Sequence, residues 1–234
     1  MVGFGDLRVA EERSERFGEE KSVALTFDDG PEPESALRSI LAVLAAHTPP
    51  ILAEFYVIGK KVKAKPGLLL VILGGNHKIQ NHTWDHPMHI TSLDEKTILK
   101  EVEDAQDLIT KVAGVAPTKV RPPYGDGGFP GHINPKLLSV ANKLHLRIED
   151  WDVDTCDWAD PKGLEDVPIV TDIKWLKGSK PLRHALIKRQ FKDAKGDPSR
   201  LTVLMHVRPE TARDLPAFIT QLEAWGFDFA VPKN

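Results

Sequence analysis

The sequence predicts an α/β fold: a parallel sheet curled toward a barrel and covered by helices. Three observations carry this. Short apolar runs of strand length recur from residue 21 to the C-terminus. Between them lie segments with apolar residues at helical spacing, and that alternation is what βαβ units produce. Several of the strand candidates also end in acidic or histidine-bearing stretches, and strand C-terminal ends gather on one face of such a barrel. The chain has 234 residues, of which 41% are hydrophobic, enough for one sizeable core.

Taken in order, the strand candidates are Val23–Phe27, Leu52–Ile58, His77–Asn81, Thr118–Arg121, Arg147–Val153, Leu201–His206 and Phe227–Val231. The first is an apolar run stopped by Gly30-Pro31. Helices fit between the strands. Leu37, Ile40, Leu41 and Leu44 make one apolar face. Ser92 with Glu95 resembles a capping box, followed by Ile98, Val102, Ala105, Ile109 and Val112 and then Gly114 as a stop. Asn134-Pro135 reads as an N-cap with a first-turn proline. Thr211 to Trp225 carries Leu215, Phe218, Ile219 and Leu222, and Gly226 ends it. Seven strands of this kind predict a barrel or near-barrel.

Composition excludes several classes. A net charge of −3 offers no broadly basic surface for nucleic acid. The densest apolar run, Leu68–Leu73, is too short to span a bilayer. Residues 1–20 are polar and charged, lack the apolar core of a signal peptide, and are expected to form a leader segment ahead of one domain over 21–234. Such a start fits a cytoplasmic chain or one that has lost a leading segment. The single cysteine, Cys156, rules out an intrachain disulfide and a cysteine-based zinc site. The lysine-rich stretch 159–200 is expected to hold an amphipathic helix around Pro181 to Lys192, either solvated or facing an anionic polymer.

The chemistry is concentrated in a few stretches. In Thr26-Phe27-Asp28-Asp29-Gly30-Pro31, two carboxylates stand side by side at a strand end. Like charges this close raise each other's pKa, and a bound cation removes the conflict. One aspartate is therefore expected to hold a metal and the other to handle protons. His82-Thr83-Trp84-Asp85-His86-Pro87 puts histidines at i and i+4, which on a helical turn would both reach one ion. Two neutral nitrogens with one carboxylate suit zinc and leave positions open for water and substrate. Alone the pair reads as ordinary surface histidines; the upstream Asp-Asp stretch lifts it. Iron oxygenases built on a facial triad share this donor set. They carry a His-x-Asp pair, whereas Asp85 lies three residues after His82.

Further on, Arg121-Pro122-Pro123-Tyr124-Gly125 is an extended, proline-fixed loop whose arginine can hold a carboxylate. Trp151-Asp152-Val153-Asp154-Thr155-Cys156-Asp157-Trp158 crowds acids that need partners with aromatic faces that suit sugar rings. Leu201–His206 delivers a histidine at the end of an apolar strand, a candidate general acid in this company.

In this order the stretches resemble the polysaccharide deacetylases of the NodB homology domain, carbohydrate esterase family 4. The family's motifs Thr-Phe-Asp-Asp-Gly-Pro, His-Ser/Thr-x-x-His-Pro, Arg-x-Pro-Tyr-Gly, Asp-x-x-Asp-Trp and Leu-x-His are all matched at their marked positions, over residues 21–233. The resemblance implies a distorted (β/α)7 barrel in a single domain and metal-dependent hydrolysis. It implies Asp28 as general base, Asp29, His82 and His86 as metal ligands, and Thr83 as a brace for their loop. Arg121 would orient Asp28, and Tyr124, after Pro123, would offer its backbone N–H to an oxyanion. Leu204 and Trp158 would house an acetyl methyl, and His206 would be the general acid, tuned by Asp154 or Asp157. The implied cofactor is one divalent metal, Zn2+ before Co2+ or Ni2+. The implied partner is an acetylated polysaccharide or oligosaccharide such as peptidoglycan or chitin, met outside the cytoplasm. An O-acetyl esterase acting on xylan, a hydrolase of cyclic amides, and an inactive sugar-binding relative are the alternatives. The span from Trp158 to His206 is long for the family and implies a reshaped groove there.

Overall fold

The structure, a computed structural model, describes residues 21–158 and 200–230. The expected leader (1–20) and most of the lysine-rich stretch (159–199) lie outside the described residues. The strands are β1 (Lys21–Gly30), β2 (Glu54–Val57), β3 (Lys78–Asn81), β4 (Lys119–Val120), β5 (Arg147–Ile148), β6 (Val153–Asp154), β7 (Leu201–His206) and β8 (Phe227–Phe229). The helices are α1 (Glu34–Ala46), α2 (Gly59–Ala64), α3 (Gly67–Gly74), α4 (Glu95–Ala113), α5 (Pro135–Lys143) and α6 (Pro209–Ala224). Among the described residues every strand pairing is parallel, in the order β5-β4-β3-β2-β1-β7-β6, with β8 added to the first residues of β1.

The expected strand Arg147–Val153 is two strands. Arg147–Ile148 pairs with β4 at one end of the sheet, and Val153–Asp154 pairs with β7 at the other. Glu149, Asp150, Trp151 and Asp152 interrupt the apolar run and cross between the two ends. From Ile148 to Val153 the chain reaches at most about 18 Å. Consecutive strands can occupy opposite ends of the sheet only because the sheet curls back on itself as a distorted (β/α)7 barrel, open between β5 and β6.

Side-chain alternation divides the molecule into an apolar shell and a polar interior. From β1, β2 and β7, Val23, Leu25, Phe27, Phe55, Val57, Val203 and Met205 pack outward against Leu37, Ile40 and Leu44 of α1 and Leu215, Phe218 and Leu222 of α6. A second cluster joins Val120 to Ile98 and Val102 of α4 and Leu137 and Val140 of α5. The alternate positions turn inward and are mostly polar. Thr26, Asp28, Glu54, Tyr56, Lys119 and Arg121 are all buried. Lys119 Nζ donates to both Glu54 carboxylate oxygens at 2.7 and 2.8 Å. Tyr56 Oη donates to Glu54 Oε2 at 3.0 Å.

Local signals fixed several helix ends. Asn134 Oδ1 accepts from the N–H groups of Lys136 and Leu137, capping α5 as expected. Gly114 closes α4 in the left-handed region at φ 69°. The start of α4 differs from the expected Ser92 box. Asp94 is its N-cap, accepting from Thr97 N–H, while Ser92 lies in a 3₁₀ turn and donates to His89 O. A carboxylate closer to the helix start serves the exposed N–H groups and the macrodipole together. Helix α3 encloses the dense Leu68–Leu73 run and buries Leu68, Leu69 and Ile72.

Because the Glu54–Lys119 pair is fully buried, breaking it strands a charge. Lys119→Met is expected to cost about 3–5 kcal/mol, and adding Glu54→Gln to recover most of that. Urea denaturation of the two variants beside the parent checks this.

Candidate metal centre

Each element of the site stands at the C-terminal end of a strand. β1 carries Asp28 and Asp29, and the register of β1 with β7 sets Asp28 opposite His206. β3 runs directly into His82, β4 into Arg121, and β6 ends at Asp154. Their side chains meet in a cavity of about 500 Å³ lined by Asp28, Asp29, His82, His86, Tyr124, Trp151, Asp154, Trp158, Leu204, His206 and Arg208.

The histidine pair is not on a helical turn. Residues 82–87 form a loop in which Thr83 and His86 adopt positive φ, 65° and 58°. Buried Asn81 sets the entry, its Oδ1 accepting from Thr83 N–H at 2.8 Å. Thr83 O accepts from Gly59 N–H and Thr83 Oγ1 accepts from His86 N–H at 3.2 Å, so the threonine ties the loop on two sides. The imidazoles meet edge to face, with centroids 4.9 Å apart.

One donor atom each from Asp29, His82 and His86 lies within 4.8 Å of the others. His82 Nδ1 is 2.8 Å from Arg121 O. A carbonyl only accepts, so Nδ1 carries the proton and Nε2 presents its lone pair. Asp29 Oδ1 is buried without a hydrogen-bond partner, 3.2 Å from His86 Nε2 and 3.6 Å from His82 Nε2. A carboxylate oxygen left this way between two imidazole nitrogens is what a cation would satisfy, so the residues fit a divalent metal. Burial, reinforced by the charge of His82, lowers the His86 imidazole to about 4. Burial pushes the Asp29 carboxyl up, but His82, His206, His86 and Lys61 together hold it below its ordinary value. Both donors are thus in their binding forms at neutral pH. Lys61 Nζ also donates to Asp29 O at 2.7 Å.

Asp28 sits beside this group. Arg121 Nη1 donates to Asp28 Oδ1 at 2.7 Å and to Thr26 Oγ1 at 2.9 Å, while Nη2 donates to Asp150 O. Asp28 Oδ2 is left facing the cavity, 3.6 Å from His82 Nε2.

Of Asp154 and Asp157, it is Asp157 that contacts the His206 ring. Asp157 is fully buried, and its Oδ1 accepts from His206 Nδ1–H at 2.7 Å. Its Oδ2 accepts from His206 N–H and Thr211 Oγ1. Burial alone would lower the His206 imidazole, but the Asp157 carboxylate outweighs it and raises the group to about 9. Asp154 instead accepts from Cys156 N–H and from Trp158 Nε1 at 3.1 Å. Cys156 is only half-buried.

Pro123 is buried, and Tyr124 lies in the turn Pro123–Gly125 with φ 58°, its ring 4.8 Å from His86 and exposed to the cavity. Gly125 follows at φ 69°; a Cβ there would stand 2.5 Å from Phe129 and 2.7 Å from Trp151, so only glycine fits the turn. Leu204 and Trp158 form an apolar side of the cavity. Sequence reasoning did not single out Asn81, Lys61, Thr211 or Arg208. Lys61, Thr211 and Arg208 meet partners remote in sequence, which no local pattern marks, and Asn81 acts through a two-residue turn that carries no motif.

The profile of the polysaccharide deacetylase family matches residues 16–148, and the chain belongs to that family. That match ends before the stretches carrying Asp157 and His206; it is the sheet that brings them to the site. The chain is 40% identical over 141 residues to the peptidoglycan-N-acetylmuramic acid deacetylase PdaC of Bacillus subtilis, covering 60% of this chain and 27% of that protein. It is 31% identical over 210 residues to the peptidoglycan-N-acetylglucosamine deacetylase PgdA of Listeria monocytogenes, covering 89% of this chain and 37% of that one. The chain thus spans well under half the length of these curated relatives. The solved structure of PdaC superposes with a TM-score of 0.65 at 30% identity, covering 91% of this chain and 88% of the solved one. A family 4 carbohydrate esterase from Streptomyces lividans in complex with acetate gives 0.68 at 25% identity, covering 91% and 93%.

Replacing Asp157 by Asn should lower the His206 titration well below about 9, because the charge that chiefly opposes burial is gone and only Asp28 and Asp29 remain against it, while Asp154→Asn moves it far less. Proton NMR of the His206 ring across a pH series in metal-free protein reads both.

Proposed function

We propose that this chain is a metal-dependent N-deacetylase of N-acetylglucosamine-containing polysaccharide, peptidoglycan or chitin-like, releasing acetate. The observation that carries it is the Asp29–His82–His86 donor group beside a guanidinium-held carboxylate and an aspartate-held histidine in one cavity. PdaC and PgdA are peptidoglycan deacetylases, which supports the same class.

Asp29, His82 and His86 would hold the metal, with zinc matching the donor set and cobalt or nickel as substitutes. Bound there, it would polarise the acetamide carbonyl and acidify water. Asp28, held by Arg121 through Oδ1, turns Oδ2 to the attacking water and takes its proton. The water oxygen joins the acetyl carbon, and the Tyr124 backbone N–H faces the oxyanion. His206, kept protonated by Asp157, gives its proton to the departing nitrogen as the C–N bond breaks. The acetyl methyl packs against Leu204 and Trp158. Products are a free amine on the sugar and acetate. A polymer of the cell wall places the enzyme outside the cytoplasm.

Asp28→Asn is expected to keep one metal per chain while lowering kcat about 10²–10⁴-fold, whereas His82→Ala loses the metal. Acetate release from chitooligosaccharide, peptidoglycan and acetylxylan, measured after chelation and re-addition of zinc or cobalt, tests the reading. Release from acetylxylan alone would make the chain an O-acetyl esterase, and sugar binding without acetate from any glycan would make it a non-catalytic relative.

A further inference from the structure

The motifs leave unexplained why the barrel interior holds an ionic cluster beneath the site. Arg121 has no solvent-exposed surface, and its guanidinium carbon lies 4.0 Å from the centroid of the Tyr56 ring, with Trp151 at 5.8 Å. Tyr56 is itself wholly buried, and its hydroxyl is tied to Glu54, whose two oxygens are both held by Lys119 Nζ. Lys119 Nζ also reaches Glu149 at 3.3 Å, and its backbone N–H donates to Gln80 Oε1. This chain of contacts runs from the sheet through the Tyr56 ring face to Arg121 and ends on Asp28.

Hydrogen bonds hold two of the three guanidinium nitrogens. Nη1 and Nη2 have partners, but Arg121 Nε is buried without one. The ring face it lies against is a further contact that bears on its plane. An aromatic face at this distance attracts a cation, and more so where water is excluded. Burial, opposed by the Arg121 charge and reinforced by Glu54, raises the Tyr56 hydroxyl well above its ordinary value, so it stays a donor to Glu54.

We propose that Tyr56, anchored by the buried Glu54–Lys119 pair, is a positioning residue: its ring fixes the plane of the Arg121 guanidinium and through it the direction of the Asp28 carboxylate. This role presupposes Asp28 as the base of the deacetylase described above. Neither Tyr56 nor the pair touches the cavity, so they act only through Arg121.

Two variants of the metal-loaded chain separate the ring from its hydroxyl. Tyr56→Leu removes the aromatic face, and Tyr56→Phe keeps it. The expected result for Tyr56→Leu is a loss in kcat of about tenfold or more with KM within about twofold and metal content unchanged, while Tyr56→Phe stays within about threefold of the parent. Guanidinium NMR gives a readout independent of turnover. Rotation about the Arg121 Nε–Cζ bond should be slow in the parent and in Tyr56→Phe, and averaged in Tyr56→Leu. Slow rotation persisting in Tyr56→Leu, equal losses in both variants, or a loss confined to KM would overturn the proposal. Should Tyr56→Leu not fold, Tyr56→Met fills the same space without an aromatic face, and slow Arg121 rotation there is the opposing result. A parent chain that releases no acetate defeats the deacetylase reading, and the NMR comparison still decides whether Tyr56 holds Arg121.

Discussion

The structure depends on one buried cation. Arg121 works at both ends of the residue: its side chain grips Asp28, and its backbone carbonyl fixes the tautomer of His82. A single placement at the end of β4 thus sets the direction of a candidate base and the lone pair of a candidate ligand. Burying a guanidinium costs several kcal/mol unless its charge and donors are answered. Here a carboxylate, a hydroxyl, a carbonyl and an aromatic face answer it. Those partners come from β1, β2 and the β5–β6 crossing, so the curl of the sheet is a requirement of the site as well as its frame.

The division between shell and interior explains how one sheet supports both stability and chemistry. Val23, Leu25 and Phe27 bury against the helices, whereas Thr26 and Asp28, one residue out of phase, enter the barrel. A one-residue slip of β1 would exchange these faces, driving Asp28 into the apolar shell and Phe27 into the ionic cluster. The pairing of β1 with both β2 and β7 prevents that slip, and the register of Asp28 with His206 follows from it.

Strand periodicity and residue order made much of this legible. The apolar run Val23–Phe27, the Asn134-Pro135 helix start and the Gly114 stop are local features, and local features survive into the fold. The seven-stranded curl was readable because apolar strands alternate with helical spacing. The break between β5 and β6 was not, since Arg147–Val153 reads as one extended run and only pairing to different neighbours divides it. The partner of His206 could not be chosen from sequence because Asp154 and Asp157 both lie near the end of the same segment. The positive φ of Cys156 and the Asp154–Cys156 turn reverse the chain between them. The Glu54–Lys119 pair spans 65 residues and carries no motif at either end. The His82–His86 spacing suggested one face of a helix, and the residues do converge, but through two left-handed positions braced by Thr83.

Three histidines share the cavity, and their second partners separate their chemistry. At His82 a carbonyl accepts from Nδ1–H, so Nε2 is the nitrogen turned toward Asp29. Burial beside another imidazole keeps His86 from taking up a proton near neutrality. A buried carboxylate does the reverse for His206, stabilising the imidazolium that burial would disfavour. Residue type alone would give three similar groups titrating near the same pH. It is the oxygen behind the ring, a neutral carbonyl for His82 and a charged carboxylate for His206, that sets these two imidazoles apart. The charge of Asp157 can act on the His206 ring because Thr211 and the His206 backbone N–H satisfy its other oxygen, which ties His206 to the end of β7 and the first turn of α6.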